Sequence, residues 1–157
     1  MKTLDDVVKL LQKALEIVRK RSRGQLGITL LEADIELDVI EKGELKAGLK
    51  LEYVVPIDVG ASYKTESTHR LSLKLTASQN YGDLGPIEES EDLAESIIGL
   101  ASEVKRVRES VGNDFSLSNF SVSLEFKVNK EGKLQVVAGG SKSGERGHTI
   151  KLTFRPR

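Results

Sequence analysis

His69-Arg70-Leu71-Ser72-Leu73-Lys74-Leu75 and His148-Thr149-Ile150-Lys151-Leu152-Thr153-Phe154 are the two strings that decide the fold. Each opens on one of the chain's two histidines and alternates apolar with polar residues, the period of a strand with one buried face. They lie 79 residues apart. Upstream, Ile28-Thr29-Leu30 and Phe115-Ser116-Leu117 open two further alternating stretches, 87 residues apart. Before these, two helical stripes correspond: Val8, Leu11, Leu15 and Val18 match Ile97, Leu100, Val104 and Val107 at an offset of 89. Three patterns recur in one order, so the chain reads as a unit built twice.

Each unit begins with an amphipathic helix. In the first, Leu4, Val7, Val8, Leu11, Leu15 and Val18 recur at spacings of three and four. Thr3 with Asp6 forms a capping pair, and Gly24 follows the basic tail as a stop signal. In the second, Asp92 with Glu95 makes the start, Leu93, Ile97, Leu100, Val104, Val107 and Val111 the inward stripe, and Gly112 the end. Three strands follow each helix. Ala33, Ile35, Leu37 and Val39 alternate with the carboxylates Glu32, Asp34, Glu36 and Asp38, and Lys42-Gly43 signals a turn. The inward set of the next strand is Leu45, Ala47, Leu49, Leu51 and Tyr53. After a loop containing Pro56 and Gly60 come Leu71, Leu73 and Leu75. The second unit has Phe120, Val122, Leu124, Phe126 and Val128, then Leu134, Val136 and Ala138, then Ile150, Leu152 and Phe154. Glu131-Gly132 and the Gly-rich segment 139–147 mark its connections.

The fold class is therefore α+β: a tandem α-β-β-β repeat with two three-stranded antiparallel sheets, or one six-stranded sheet if their edges join, each covered by one helix. Residues 1–78 form the first unit, 79–91 an acidic Gly/Pro linker and 92–157 the second unit. Three strands and one helix are marginal alone. The units are expected to pack together, their sheets joined edge to edge about a pseudo-twofold axis.

Composition narrows the function classes. Lys plus Arg and Asp plus Glu are 24 each, so no net charge draws the chain to nucleic acid or an anionic surface. Leu, Ile, Val and Phe number 21, 9, 14 and 4, enough apolar material for a core. The absence of cysteine excludes disulfides, thiolate metal sites and cysteine nucleophiles. No apolar run has membrane-spanning length and the N-terminus lacks a signal-peptide core, so a cytoplasmic protein with no membrane partner is expected.

The motifs point away from catalysis. The carboxylate row invites a metal or acid–base role, but neighbours on one strand face stand about 6.6 Å apart. Lys46 and Lys50 on the next strand offer them cross-strand partners. His69 and His148 have inward parity at strand starts, which fits half-buried, hydrogen-bonded histidines better than a ligand set. No nucleophile elbow, phosphate loop or His-Glu-x-x-His occurs. The basic clusters Arg19 to Arg23 and Lys105, Arg106 and Arg108 lie at helix C-terminal halves. The second helix opens on Glu88-Glu89-Ser90-Glu91-Asp92, which repels phosphates, and no aromatic platform is present, so nucleic acid is disfavoured. No catalytic residue, metal or cofactor is expected.

The first unit resembles the trypsin-co-occurring domain family of the second type over about residues 4–76. The resemblance is carried by Leu4-Asp5-Asp6-Val7-Val8-Lys9-Leu10-Leu11, Ile35-Glu36-Leu37-Asp38-Val39, Gly48-Leu49-Lys50-Leu51 and above all Ser67-Thr68-His69-Arg70-Leu71-Ser72-Leu73. The second unit, about 92–155, keeps His148 and the strand after it but lacks the Ser-Thr-His-Arg string. The resemblance implies a small non-catalytic module found beside trypsin-like peptidases and nucleotide-driven ATPases in prokaryotic conflict or signalling systems. The expected function is a protein-binding adaptor that meets such a peptidase, ATPase or effector in trans. The binding candidates are Thr68, His69, Arg70 and His148. Strand edges offer a route to homo-oligomers. Two alternatives carry other expectations. A small-ligand sensor or inhibitor-like peptidase regulator would hold a pocket between the repeats, and a hydrolase would use the carboxylate row in a cleft.

Overall fold

In the computed structural model the described residues are 3–45, 48–54, 68–78, 92–128, 131–137 and 148–156. The proposed linker 79–91, the Gly-rich segment 139–147 and the loop after Pro56 lie outside them.

Helix α1 spans Leu4–Arg21. The Thr3 hydroxyl accepts from the Asp6 N–H at 3.2 Å, so the capping pair forms as its spacing predicts. Asp5 and Asp6 occupy the first turn and Arg19, Lys20 and Arg21 the last, each matched to the helix dipole. The helix does not stop at Gly24. It passes through a π-turn, Ser22–Leu26, and ends at Gly27 with φ 64°, whose N–H closes onto the Ser22 carbonyl. A residue without Cβ takes that left-handed cap at little cost, whereas Gly24 has no positive φ.

Strand β1, Ile28–Leu45, runs for 18 residues. The Lys42-Gly43 turn expectation is corrected here: the strand continues past both, with register shifts between Ile40 and Glu41 and between Glu41 and Glu44. The glycine sits in a bulge of an unbroken ladder. Strand β2 is Gly48–Val54 and β3 is Thr68–Thr76. Strands β4, Phe120–Val128, β5, Leu134–Val136, and β6, His148–Pro156, follow the second helical segment.

That segment is broken. Helix α2, Asp92–Ser102, and helix α3, Val104–Ser110, replace the single helix expected. Its buried face is Leu93, Ala94, Ile97, Ile98, Ala101 and Val104, while Leu100 and Val107 are each 46% exposed. Leu93, Ile97 and Val104 of the expected stripe are on this face, while Ala94, Ile98 and Ala101, a neighbouring set with the same spacing, take the place of Leu100 and Val107. Two apolar sets lie side by side on this helix, and periodicity alone does not rank them.

All six strands join one antiparallel sheet. Val39 and Ile40 pair with Val54 and Tyr53 of β2 and also with His69 and Thr68 of β3, so β2 and β3 occupy opposite edges of β1. Residues 32–36 pair with both β3 and β6, which puts β6 on the edge that β2 uses. β2 covers the far end of that edge and β6 covers residues 28–36. Two separate sheets are therefore not formed. The twofold expectation is also corrected: a twofold axis joins like strands, but here the first strand of one half pairs with the third strand of the other. The reason is the length of β1, which leaves half an edge open beyond β2.

The two halves share a register. In β1–β3, Ala33, Ile35, Leu37 and Val39 face Leu75, Leu73, Leu71 and His69. In β4–β6, Phe120, Val122, Leu124 and Phe126 face Phe154, Leu152, Ile150 and His148. Every pair corresponds at the offsets of 87 and 79 seen in the sequence. Buried residues of α1, α2 and the inner sheet face form one core across both halves. Arg21 of α1 pairs with Glu95 of α2, and the Asp92 carboxylate accepts from the Val136 N–H of β5 at 3.2 Å.

Candidate interaction surface

The histidines and the arginine singled out in the sequence do not make one site. His148 is 0% exposed. Its ring packs on Phe126 with centroids 5.5 Å apart, and its Nδ1 accepts from the backbone N–H of Asp38 at 3.0 Å. That hydrogen bond requires an unprotonated Nδ1 and ties β6 to β1 where β2 takes over the edge. His69 is half-buried, facing Val39 from the opposite edge of β1. Thr68 is placed by its pairing with Ile40 alone, its side chain lying outside the described set.

Arg70 is on the outer sheet face. Its guanidinium donates to the Glu36 carboxylate at 2.8 Å and to the Asp38 carboxylate at 3.0 Å. Lys74 adds contacts to Glu32 at 3.7 Å and Asp34 at 3.9 Å. The carboxylate row is neutralised from β3, as the register dictates: Asp38 lies opposite Arg70 and Asp34 opposite Lys74. Among the described residues no group of three His, Asp or Glu side chains is placed to hold a metal ion.

The hydrogen bond from Arg70, then its charge, then the Thr149 hydroxyl hold the Glu36 carboxyl below its ordinary value of 4.5. The arginine is correspondingly raised and stays charged. A lowered carboxyl adds stability that is complete above its ordinary value and is lost as pH falls through the lowered one. Replacing Arg70 by Met should therefore flatten the acid arm of the stability curve. Urea midpoints at neutral pH and below 4.5 should converge relative to the parent, and added salt should shrink the difference. Unchanged acid sensitivity in the variant would show the pair to be energetically idle.

Sequence reasoning missed a different surface. Leu100, Glu103, Val104 and Val107 of the broken helix, with Leu117, Phe120, Ser121, Val122 and Ser123, line an open, mostly apolar groove of about 370 Å³. Phe115, two residues before the lining residue Leu117 in the chain, is 80% exposed. Residues 115–117, read as part of a strand, precede β4, which begins only at Phe120. β5 meets β4 at Phe126, with a further bond from the Val137 N–H to the Glu125 carbonyl. The edge of β4 before Glu125 has no strand on it among the described residues. A β4 edge with no described strand on it thus lies beside an apolar groove, the arrangement that adds a strand from elsewhere. The signal in the sequence was a surplus: more apolar positions on residues 93–107 than one helix face can bury.

The described residues thus define a two-layer α+β protein in which β3 and the start of β4 each present an edge with no described strand on it, and in which no helix is long and apolar enough to cross a membrane. Residues 3–77, just under half of the chain, match the model of trypsin-co-occurring domain 2, a family whose name records its occurrence together with trypsin domains. The match ends with β3 and does not extend over residues 92–156. Neither a curated protein nor a solved structure matches the chain.

Proposed function

We propose that this protein is a non-catalytic adaptor of a trypsin-like-peptidase system, recruiting its partner by adding a strand to the open β4 edge. One observation carries the proposal: the β4 edge with no described strand on it and the apolar groove coincide at Phe120 and Val122, with Leu117 lining the groove just upstream. Main-chain hydrogen bonds would supply register, and Leu100, Val107 and Phe115 would supply apolar area. The non-catalytic part is supported by the carboxylate row, whose members are engaged by Arg70 and Lys74. The match to a family named for its company with trypsin domains supports the choice of partner system.

The test is co-expression with a trypsin-like peptidase or an ATPase from the same genome, with an affinity tag on this chain. The parent should retain that product in stoichiometric amount. The double variant Val107→Glu, Phe115→Glu should lose it while keeping the parent's thermal melt, since both side chains already face solvent. Failure of the parent to retain either product, or retention indifferent to the double variant, would overturn the proposal.

A further inference from the structure

The groove has a counterpart inside the molecule, and there it is filled. At the offsets that relate the two halves, Leu11 corresponds to Leu100, Val18 to Val107 and Ile28 to Phe115. Leu11, Val18 and Ile28 are 1%, 0% and 0% exposed, whereas their counterparts are 46%, 46% and 80% exposed. The edge of β1 at residues 28–36 carries β6. The matching residues 115–123, of which only 120–123 belong to β4, carry no strand on that side among the described residues. The β1 edge that takes β6 thus has a counterpart on the second half with no described strand on it, beside three exposed residues whose counterparts are buried.

The docked element also has an uncovered counterpart. β6 is flanked by β4 and β1, and its Ile150, Leu152 and Phe154 are buried. β3 has the same register on β1 that β6 has on β4, but among the described residues its other edge carries no strand. Its Leu71, Leu73 and Leu75 are accordingly only partly buried.

We infer that the β4 edge and its groove take the β3 strand of a second copy of this chain, repeating between molecules the β1–β6 seam that joins the halves within one. The inference rests on the adaptor reading and deepens it: strand addition here is homotypic, third strand onto first strand. Carried across at the same offsets, the seam sets Leu117 opposite Leu75, Phe120 opposite Leu73 and Val122 opposite Leu71, with Ser121 opposite Ser72 on the outer face. Three apolar pairs fall on the inner side, and no like charges face one another. Because the two faces differ, the association is head-to-tail and leaves a free face at each end of a dimer.

The absence of native cysteine makes a direct test clean. Ser72→Cys and Ser121→Cys are both on exposed positions. Directly opposed residues of an antiparallel pair stand about 4.5–5.5 Å apart at Cα, within disulfide reach. Under mild oxidation the two single variants, mixed, should give a cross-linked species of twice the monomer mass. Each variant alone should stay uncross-linked, and Ser72→Cys mixed with Asn119→Cys, out of register, should cross-link far less. Light scattering of the parent should show mass rising with concentration, an increase abolished by Val107→Glu with Phe115→Glu. A parent that keeps monomer mass at high concentration, or equal cross-linking of Ser121→Cys with itself, would overturn the inference. The outcomes separate from those of the adaptor proposal. A monomeric chain whose groove variant still loses the peptidase-system product sinks the homotypic mode alone. Self-association with no effect of the groove on that product sinks the adaptor reading alone.

Discussion

Residues 1–78 expressed alone should lose the cooperative unfolding transition of the whole chain, although they contain the entire family match. Removal of β6 strips a ladder from Ile28 to Glu36, and removal of α2 uncovers part of α1, which α2 contacts. Ile28, Leu30, Ala33 and Ile35, none more than 6% exposed in the full chain, would then lie along an unpaired edge. A helix on a three-stranded sheet is marginal as an independent unit. The shortened chain should show a shallow, non-sigmoidal melt by circular dichroism and bind a hydrophobic dye, the marks of lost packing. A sharp transition at the parent's midpoint would mean that the halves are energetically independent and that the β1–β6 seam adds little.

The second large effect is expected at Phe154. Its side chain is 0% exposed, it stacks on Phe120 with centroids 5.2 Å apart, and its neighbours across the ladder are Leu30 on β1 and Phe120 on β4. It therefore fills the core at the seam between the halves. Phe154→Ala should cost about 3–5 kcal/mol. Against a total of about 5–15 kcal/mol for a typical domain, that leaves a partly unfolded protein at ordinary temperature. The same substitution at Phe115 should change the urea midpoint by no more than about 0.5 kcal/mol in equivalent stability, because that ring already faces water. Comparable losses at the two positions would mean that Phe115 is covered in solution, as the head-to-tail association requires at high concentration. The comparison is therefore made dilute and repeated concentrated.

These two phenylalanines show where sequence patterning stops. Both sit in alternating strings, and nothing local separates them. The strand at 120–128 forms because a partner, β6, lies along it. Upstream of Phe120 the pattern continues, yet no described strand is present to pair with it, so the pattern is not realised as structure. The carboxylate row tells a similar story. Its solvated, paired character was legible from the alternation, and the partners seen among the described residues, Arg70 and Lys74, come from β3, while Lys46 and the side chain of Lys50 lie outside them. Partner choice depends on which strand lies on which edge. The helical segment at 92–110 was legible, as were Leu93, Ile97 and Val104 on its buried face, but not the exposure of Leu100 and Val107, since two apolar sets with the same spacing compete. Its choice between them was made by the sheet beneath.

The chain's own order of residues determined the elements, the inward parity of β1, β4 and β6, the cap at Thr3 and the matching registers of the two halves, because each follows from local backbone geometry and a period of two or 3.6. Tertiary structure decided that β6 enters beside β2 on one long edge, that the sheet is single and not twofold, and that Leu100, Val107 and Phe115 are left in the open. Those outcomes rest on lengths and registers of strands far apart in the chain. An edge is satisfied by whatever reaches it, and no local pattern states what that will be.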